Sequence, residues 1–293
     1  MRNNISFIVP AYNCADTLEE SINSIFQDNL TEGDEVIIIN DASTDGTADL
    51  IEELKEKYPA VSSITHKYNK GSAAASRNTG IENAKHELIF CLDSDNILVS
   101  GSVPKLKRFM IEGGFEAAAF AEKHFFENST HNIVNVWKYK GPVTTLEIAL
   151  STKFWPGPSG NYLYTKNSWR KAGRYHESVG GGVDSWAFGI RQLASGTNIA
   201  IMPDSFYFHR HGIDSAFVRD EKAGNISLKA VQVLLPLIPL IDDVDVEYIL
   251  SYKGRYRWYY DLDKRPLKLR ANTHQRSLIS RALRKLKRVK NHI

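Results

Sequence analysis

Three places in this chain gather side chains able to do polar chemistry. Asp93 and Asp95 stand two residues apart at the end of an apolar run, Leu88 to Leu92. If the backbone stays extended there, both carboxylates project to the same side. Such a pair suits a hard cation, Mg²⁺ or Mn²⁺, and leaves it open positions for phosphate oxygens. Turns and helix caps use the same residue types, and Asp243/Asp245 and Asp261/Asp263 repeat the spacing without a buried run before them. Position, not spacing, singles out the first pair. Asp41, in Asp-Ala-Ser-Thr-Asp-Gly, closes a second apolar run; it is either an acceptor for a nucleoside or part of a loop entering a helix N-cap. The third place is Gly180-Gly181-Gly182-Val183-Asp184-Ser185-Trp186.

The elements that must position these groups alternate in type. Ile5 to Pro10, Val36 to Ile39, Val61 to Thr65 and Leu88 to Leu92 read as short buried strands. Leu18, Ile22, Ile25 and Phe26 recur at helical spacing, with Thr17 and Glu20 as a capping box. A second helix carries Leu50, Ile51, Leu54 and Tyr58, and a third, rich in small residues, spans Ser72 to Ala84. This alternation predicts a mostly parallel sheet flanked by helices. In such a sheet ligands bind beyond the carboxyl ends of the strands, which is where Pro10–Asn13, Asn40–Ser43 and Asp93–Asp95 fall. Farther on, the pattern predicts a helix near 102 to 112, a strand near 115 to 121 and another at Ser205 to Phe208.

Composition sets the outer limits. With 293 residues, 42% hydrophobic and 24% charged, the chain can bury a substantial core. The two cysteines, Cys14 and Cys91, and a start that opens directly into a strand pattern suggest a reducing, cytoplasmic setting. The most apolar region, Ala230 to Ile241, is interrupted by Pro236 and Pro239 and falls short of the roughly 20 residues of a membrane-spanning helix. Net charge is +3, yet residues 264–293 hold 11 Lys or Arg and no acid, leaving 26 basic against 34 acidic residues before them.

Taken together, Phe-Ile-Val-Pro-Ala-Tyr-Asn (7–13), Val-Ile-Ile-Ile-Asn-Asp-Ala-Ser-Thr-Asp-Gly-Thr (36–47), Asn-Lys-Gly-Ser-Ala-Ala-Ala-Ser-Arg-Asn-Thr-Gly (69–80) and Asp-Ser-Asp (93–95) resemble family 2 of the nucleotide-sugar glycosyltransferases, which have the GT-A fold. That resemblance implies sugar transfer from a nucleoside-diphosphate sugar, a UDP-sugar by preference, to a hydroxyl of a glycan or lipid-linked glycan, with inversion and a divalent metal. Pro10, Ala11, Tyr12 and Asn13 would line the nucleoside pocket and Asp41 would hold the base. Lys70 and an exposed Arg77 would stand near the donor, with Asp93 and Ser94 at its ribose and diphosphate. Asp93 and Asp95 would hold the metal, joined by His211; His209 is the weaker match. The family often has two successive acids where this chain has Asn40 and Asp41.

The glycine-rich segment resembles the family's approach to an acidic pair and an aromatic, with Val183 in place of the first acid. Asp184 would then be the general base, against the plainer reading of a helix cap. Gly181 and Gly182 would let backbone approach a sugar, and Trp155 and Trp186 are candidate acceptor contacts. Tyr162, Tyr164 and Trp169 are further candidates to stack on acceptor sugar rings, although core packing accounts for most aromatics at this density and only one or two should touch ligand.

These readings divide the chain into a donor half (1–100), an acceptor half (101–222) and a helical extension (223–293). The extension ends in an amphipathic basic tail, from about 275, suited to an anionic membrane surface; no base-reading module accompanies it, so nucleic acid is not expected. Two rivals remain at this point. A nucleotidyltransferase would need a Gly-rich basic loop where the chain has Ala11-Tyr12-Asn13-Cys14. A non-catalytic nucleotide-binding or scaffolding subunit would tolerate Val183.

Overall fold

The computed structural model of the protein describes residues 3–139, 141–152, 161–179, 181–211 and 216–270. Along the chain run β1 (Ile5–Ala11), α1 (Leu18–Phe26), β2 (Glu35–Asn40), α2 (Thr47–Lys57), β3 (Val61–Thr65), α3 (Ala73–Asn83), β4 (Leu88–Cys91), β5 (Ile97–Leu98), α4 (Ser102–Glu112), β6 (Ala117–Glu127) and β7 (Ser129–Lys138). There follow β8 (Val143–Thr144), α5 (Leu146–Ala149), β9 (Leu163–Thr165), α6 (Lys166–Lys171), α7 (Asp184–Ala194), β10 (Ile199–Arg210), α8 (Ala216–Lys222), α9 (Ile226–Leu234), α10 (Asp243–Leu250) and α11 (Tyr252–Asp261).

The strands form one sheet in the order β3-β2-β1-β4-β9-β6-β10-β5, with β7 alongside β6 and β8 alongside β10. The parallel expectation holds for β3, β2, β1 and β4 and again for β6 with β10. Between these blocks β9 is inserted antiparallel to both β4 and β6, and β5, β7 and β8 also pair antiparallel. The result is a mixed α/β sheet flanked by helices.

Every residue of β1 and β2 is buried, because successive side chains feed opposite faces that are both covered. Phe7, Val9, Val36, Ile38 and Phe90 pack with α1, α2 and α4 on one face. Ile8, Ile37, Ile39 and Ile89 pack with α3, α6 and α7 on the other. The capping box foreseen at α1 does not form. Both Thr17 N–H and Leu18 N–H are satisfied by the Cys14 carbonyl, toward which the Thr17 hydroxyl also turns.

Helix α3 explains its small residues. Ser72 caps it by accepting Ala74 N–H at 3.1 Å, and a Cβ at Gly80 would stand 2.5 Å from Ile8 Cγ2. The helix is pressed onto the sheet, burying Ala74, Ala75, Ser76, Arg77, Asn78, Gly80 and Ile81. A third core joins α7 to the C-terminal helices, with Val183, Ala187, Ile190, Ile226, Ala230 and Trp258 in contact. Among the described residues no helix is long and apolar enough to cross a membrane. The basic tail lies outside the described residues.

Candidate active site

The parallel order β2-β1-β4 brings three polar loops to one edge of the sheet. The first two are stitched together. Asn13 N–H donates to Ser43 Oγ (3.1 Å), Thr44 N–H to Asn13 Oδ1 (2.8 Å), Cys14 N–H to Thr47 Oγ1 (2.9 Å) and Ala15 N–H to Asp45 Oδ2 (3.2 Å). Asn13 achieves this in the left-handed region, φ 47°, which asparagine tolerates. Its side chain is therefore committed to the loop. Pro10 and Ala11 are buried in β1, while Tyr12 is 50% exposed at the rim.

Asp41 directly follows β2 and is only 4% exposed. Its Oδ1 lies 2.6 Å from His66 Nδ1, and its two oxygens share Lys70 N–H at 3.0 and 3.1 Å. His66 Nε2 in turn sits 3.0 Å from Thr79 Oγ1. The tautomer that satisfies both bonds carries its proton on Nδ1 and accepts from the threonine hydroxyl.

Two strand spacings away, about 10 Å, β4 delivers Asp93. Here the chain turns, with Asn96 N–H bonded to Asp93 O at 3.1 Å, so Asp93 and Asp95 do not lie on one extended segment. The turn is held from several sides. Asp93 N–H donates to Asn161 Oδ1 (2.8 Å) and Ser21 Oγ to Asp93 O (3.1 Å). Arg210 Nε donates to Asp95 O (3.1 Å) and Arg210 N–H to Asn96 Oδ1 (3.0 Å). Burial, reinforced by the Asp93 charge, pushes the Asp95 carboxyl up to about 7.

One guanidinium joins this turn to the second half of the chain. Arg77 Nη2 donates to Asp93 Oδ1 at 2.6 Å and Nη1 to Asp184 Oδ2 at 2.7 Å. The expectation of an exposed Arg77 is wrong: the residue is 3% exposed, stacked 5.4 Å over the Tyr175 ring. Burial opposes its charge, yet Asp184 and Asp93 hold it well above the ordinary guanidinium value. Its neighbours on α3 reach elsewhere. Asn78 bonds Tyr175 N–H and carbonyl (both 3.0 Å), Trp169 Nε1 (3.1 Å) and Glu177 (2.8 Å), and Thr79 meets His66. Arg77, Asn78 and Thr79 thus tie one helix to the Asp93 turn, the glycine-rich segment and Asp41.

Asp184 opens α7 and is 7% exposed. Its Oδ1 accepts Ser185 N–H at 2.8 Å, so the cap-like bond and the ion pair use different oxygens. On the far side of Asp93 the extended β6 and β10 contribute a buried Lys123 and a half-buried His209. Burial lowers the Lys123 ammonium to about 8 against the pull of Asp93. Burial, with the Lys123 charge, takes the His209 imidazole down to about 4.

Residues 6–169, just over half of the chain, match the family described as Glycosyl transferase family 2. The chain belongs to that family. It is 34% identical over 109 residues to the poly(ribitol-phosphate) beta-glucosyltransferase of Bacillus spizizenii, covering 37% of this chain and 17% of that protein. It is 34% identical over 129 residues to the Escherichia coli UDP-Glc:alpha-D-GlcNAc-diphosphoundecaprenol beta-1,3-glucosyltransferase WfaP, covering 44% and 46%. The chain therefore matches less than half the length of these relatives. In fold it is similar to Staphylococcus aureus TarS 1–349 in complex with UDP-GlcNAc, with a TM-score of 0.63 at 17% identity over 88% of this chain and 72% of that one. It is also similar to the Pyrobaculum calidifontis mannosyltransferase PcManGT in complex with GDP-Man and Mn²⁺, with a TM-score of 0.58 at 17% identity over 81% and 65%.

For a family 2 member, the residues singled out by sequence are partly gathered and partly not. Tyr12, Asp41, Lys70, Arg77, Asp93, Ser94, Asp95 and Asp184 stand along the strand-end edge. His211 does not join the acids: its Nε2 faces Glu127 Oε1 at 4.0 Å. Among the described residues no group of three or more His, Cys, Asp or Glu side chains is placed to hold a metal. Gly182 is explained by a close approach to helix α8, since a Cβ there would lie 2.2 Å from Phe217 Cα. Gly181 begins the same 3₁₀ turn, Gly181–Val183. Trp186 packs on Trp258 and Tyr259, with ring centroids 6.2 and 6.0 Å away. Trp155 lies outside the described residues. Tyr162, Tyr164 and Trp169, also candidates to stack on an acceptor sugar, are instead buried in the core.

Sequence reasoning missed His66, Asn161 and Arg210. A signal existed only for Arg210, which sits between the two histidines considered. His66 and Asn161 act across 25 and 68 positions and carry no local pattern.

Proposed function

We propose that this chain transfers a sugar from a nucleoside-diphosphate sugar to an acceptor hydroxyl by single displacement with inversion. The observation that carries the reading is the Arg77 bridge between Asp93, on the donor edge, and Asp184, at the head of α7. It supports a site in which leaving group and base are held at a fixed separation. Residues 1–100 are the donor half and 101–222 the acceptor half.

Asp41, steadied by His66 and Lys70 N–H, accepts from the base, with Tyr12 at the rim. UDP is the first donor class to test, because the TarS structure holds UDP-GlcNAc and the WfaP name specifies UDP-Glc. The acceptor oxygen attacks the anomeric carbon as the bond to the diphosphate breaks. Asp184 takes the hydroxyl proton, and the diphosphate departs with the bonding electrons.

A divalent cation fits the donor set at Asp93 and Asp95. Both are hard oxygen ligands, and Asp95, held partly protonated by burial beside Asp93, gains most from a nearby cation. When bound, such an ion neutralises charge on the departing diphosphate. The chain's own residues do the rest. Arg77 orients Asp93 and Asp184, and Asn161 and Arg210 hold the Asp93–Asp95 turn.

The names of the relatives favour a surface polymer or lipid-linked glycan as acceptor. A cytoplasmic enzyme at the inner membrane face, attached through the basic tail, accords with that chemistry. Release of UDP from UDP-glucose or UDP-N-acetylglucosamine by the purified chain, with and without Mn²⁺, tests the proposal. Absence of turnover or binding across a panel of nucleotide sugars would refute it.

A further inference from the structure

The turn preceding Asp184 is anchored from outside the sheet. Gly182 N–H donates to Asp220 Oδ2 at 3.1 Å, and the same oxygen receives the Lys229 ammonium at 2.6 Å. Asp220 belongs to α8 and Lys229 to α9. Gly182 lies against the α8 backbone so closely that any side chain would strike Phe217. Val183, the next residue, is 1% exposed in the core shared with Ile226, Ala230 and Trp258. Trp186, two residues past Asp184, rests on Trp258 and Tyr259 of α11. Asp184 is therefore located by two independent holds. Arg77 grips its carboxylate from the sheet side, and the C-terminal helices grip the backbone on either side of it.

We propose that Asp220 is a positioning residue for sugar transfer: with Lys229 as its counter-ion, it fixes the Gly182 turn so that Asp184 meets the acceptor hydroxyl. The inference rests on Asp184 being the base. Asp220 stands on the α8 side of the turn and acts through that backbone bond. Positioning of this kind matters because a displacement of about 1 Å at a reacting group can cost on the order of 100-fold in rate. It also gives the helices after residue 216 a part in catalysis, and it gives a buried Val183 a reason: at that position the chain needs an apolar anchor.

The full chain is tested by UDP release from UDP-N-acetylglucosamine or UDP-glucose, whichever turns over faster. UDP affinity and thermal unfolding are measured in parallel. Asp220→Ala removes both bonds and lowers kcat by about 10-fold or more, with UDP affinity and donor KM within about twofold of wild type. Asp220→Asn keeps an amide oxygen for Gly182 N–H and recovers most of the lost kcat, which a bulk loss of stability would not do. Lys229→Met lowers kcat without touching the turn's covalent surroundings, and serves if Asp220→Ala fails to fold. Unchanged kcat in Asp220→Ala overturns the inference, as does a parallel fall of kcat and UDP affinity in all three variants. A wild-type chain that binds UDP but never releases it from a nucleotide sugar overturns the underlying assignment of activity instead.

Discussion

Arg77 Nη1 and Asp184 Oδ2 meet at 2.7 Å across 107 positions of sequence, while the other nitrogen of the same guanidinium fork holds Asp93. A planar, permanently charged fork can satisfy two carboxylates at once, whereas a lysine offers a single point charge. The site is organised around that geometry.

Removing the fork leaves two largely buried carboxylates facing each other. Arg77→Met is expected to destabilise the fold by about 3 kcal/mol or more and to abolish transfer. Arg77→Lys should restore part of the stability and little of the activity. Thermal unfolding and turnover measured side by side check this; an active Arg77→Lys enzyme would show that the fork is dispensable.

Asp184→Asn keeps the size of the side chain and loses the proton acceptor. Donor binding should stay nearly intact while turnover falls by about 10² or more, the usual scale for a general base. Retention of full activity would remove Asp184 from the mechanism.

Asp95 gives a pH-dependent signature. Its folded-state value of about 7 lies above the ordinary 3.8, so between those limits the folded chain holds a proton that the unfolded chain has released. Metal-free stability therefore falls as pH rises through that window. Asp95→Asn should raise the unfolding temperature at pH 8 without metal, by a few degrees, and cancel any stabilisation by Mn²⁺. In the wild type, Mn²⁺ affinity should climb as pH passes about 7, because the ion must displace the proton. A pH-independent Mn²⁺ affinity would contradict the assignment.

His66 orients Asp41 and links it to Thr79 on α3. His66→Ala should weaken UDP binding severalfold through loss of that orientation, with kcat at saturating donor little changed. Titration calorimetry with UDP checks the first part and saturation kinetics the second. A kcat defect at unaltered affinity would place His66 in the chemical step instead.

Much of the first half was legible because its physics is local. Unbroken β-branched runs such as Val36 to Ile39 can only be strands covered on both faces, and the polar residues following them mark the ligand edge. Small residues in Ser72 to Ala84 pointed to a helix, and Gly80 against Ile8 gives the reason they are small. The antiparallel β9 escaped notice because three residues, Leu163–Thr165, hold no periodicity to read; their pairing is fixed by β4 and β6. The site divides the same way. Asp41, Asp93 and Asp184 lie on recognisable segments, but that Arg77 is buried between two of them depends on how α7 approaches α3. Thr17 looked like a cap by composition and lost that role to the Cys14 carbonyl, a competition settled only by the path of the chain.

The central claim is that Asp41 and the Asp93/Asp95 turn serve one nucleotide across a shared edge of the sheet. Calorimetric titration of uridine and UDP, with Mn²⁺, into wild type, Asp41→Ala and Asp95→Asn tests it most directly. The account predicts that Asp41→Ala weakens both ligands, while Asp95→Asn weakens UDP and leaves uridine as it was. UDP binding that ignores both substitutions would contradict it.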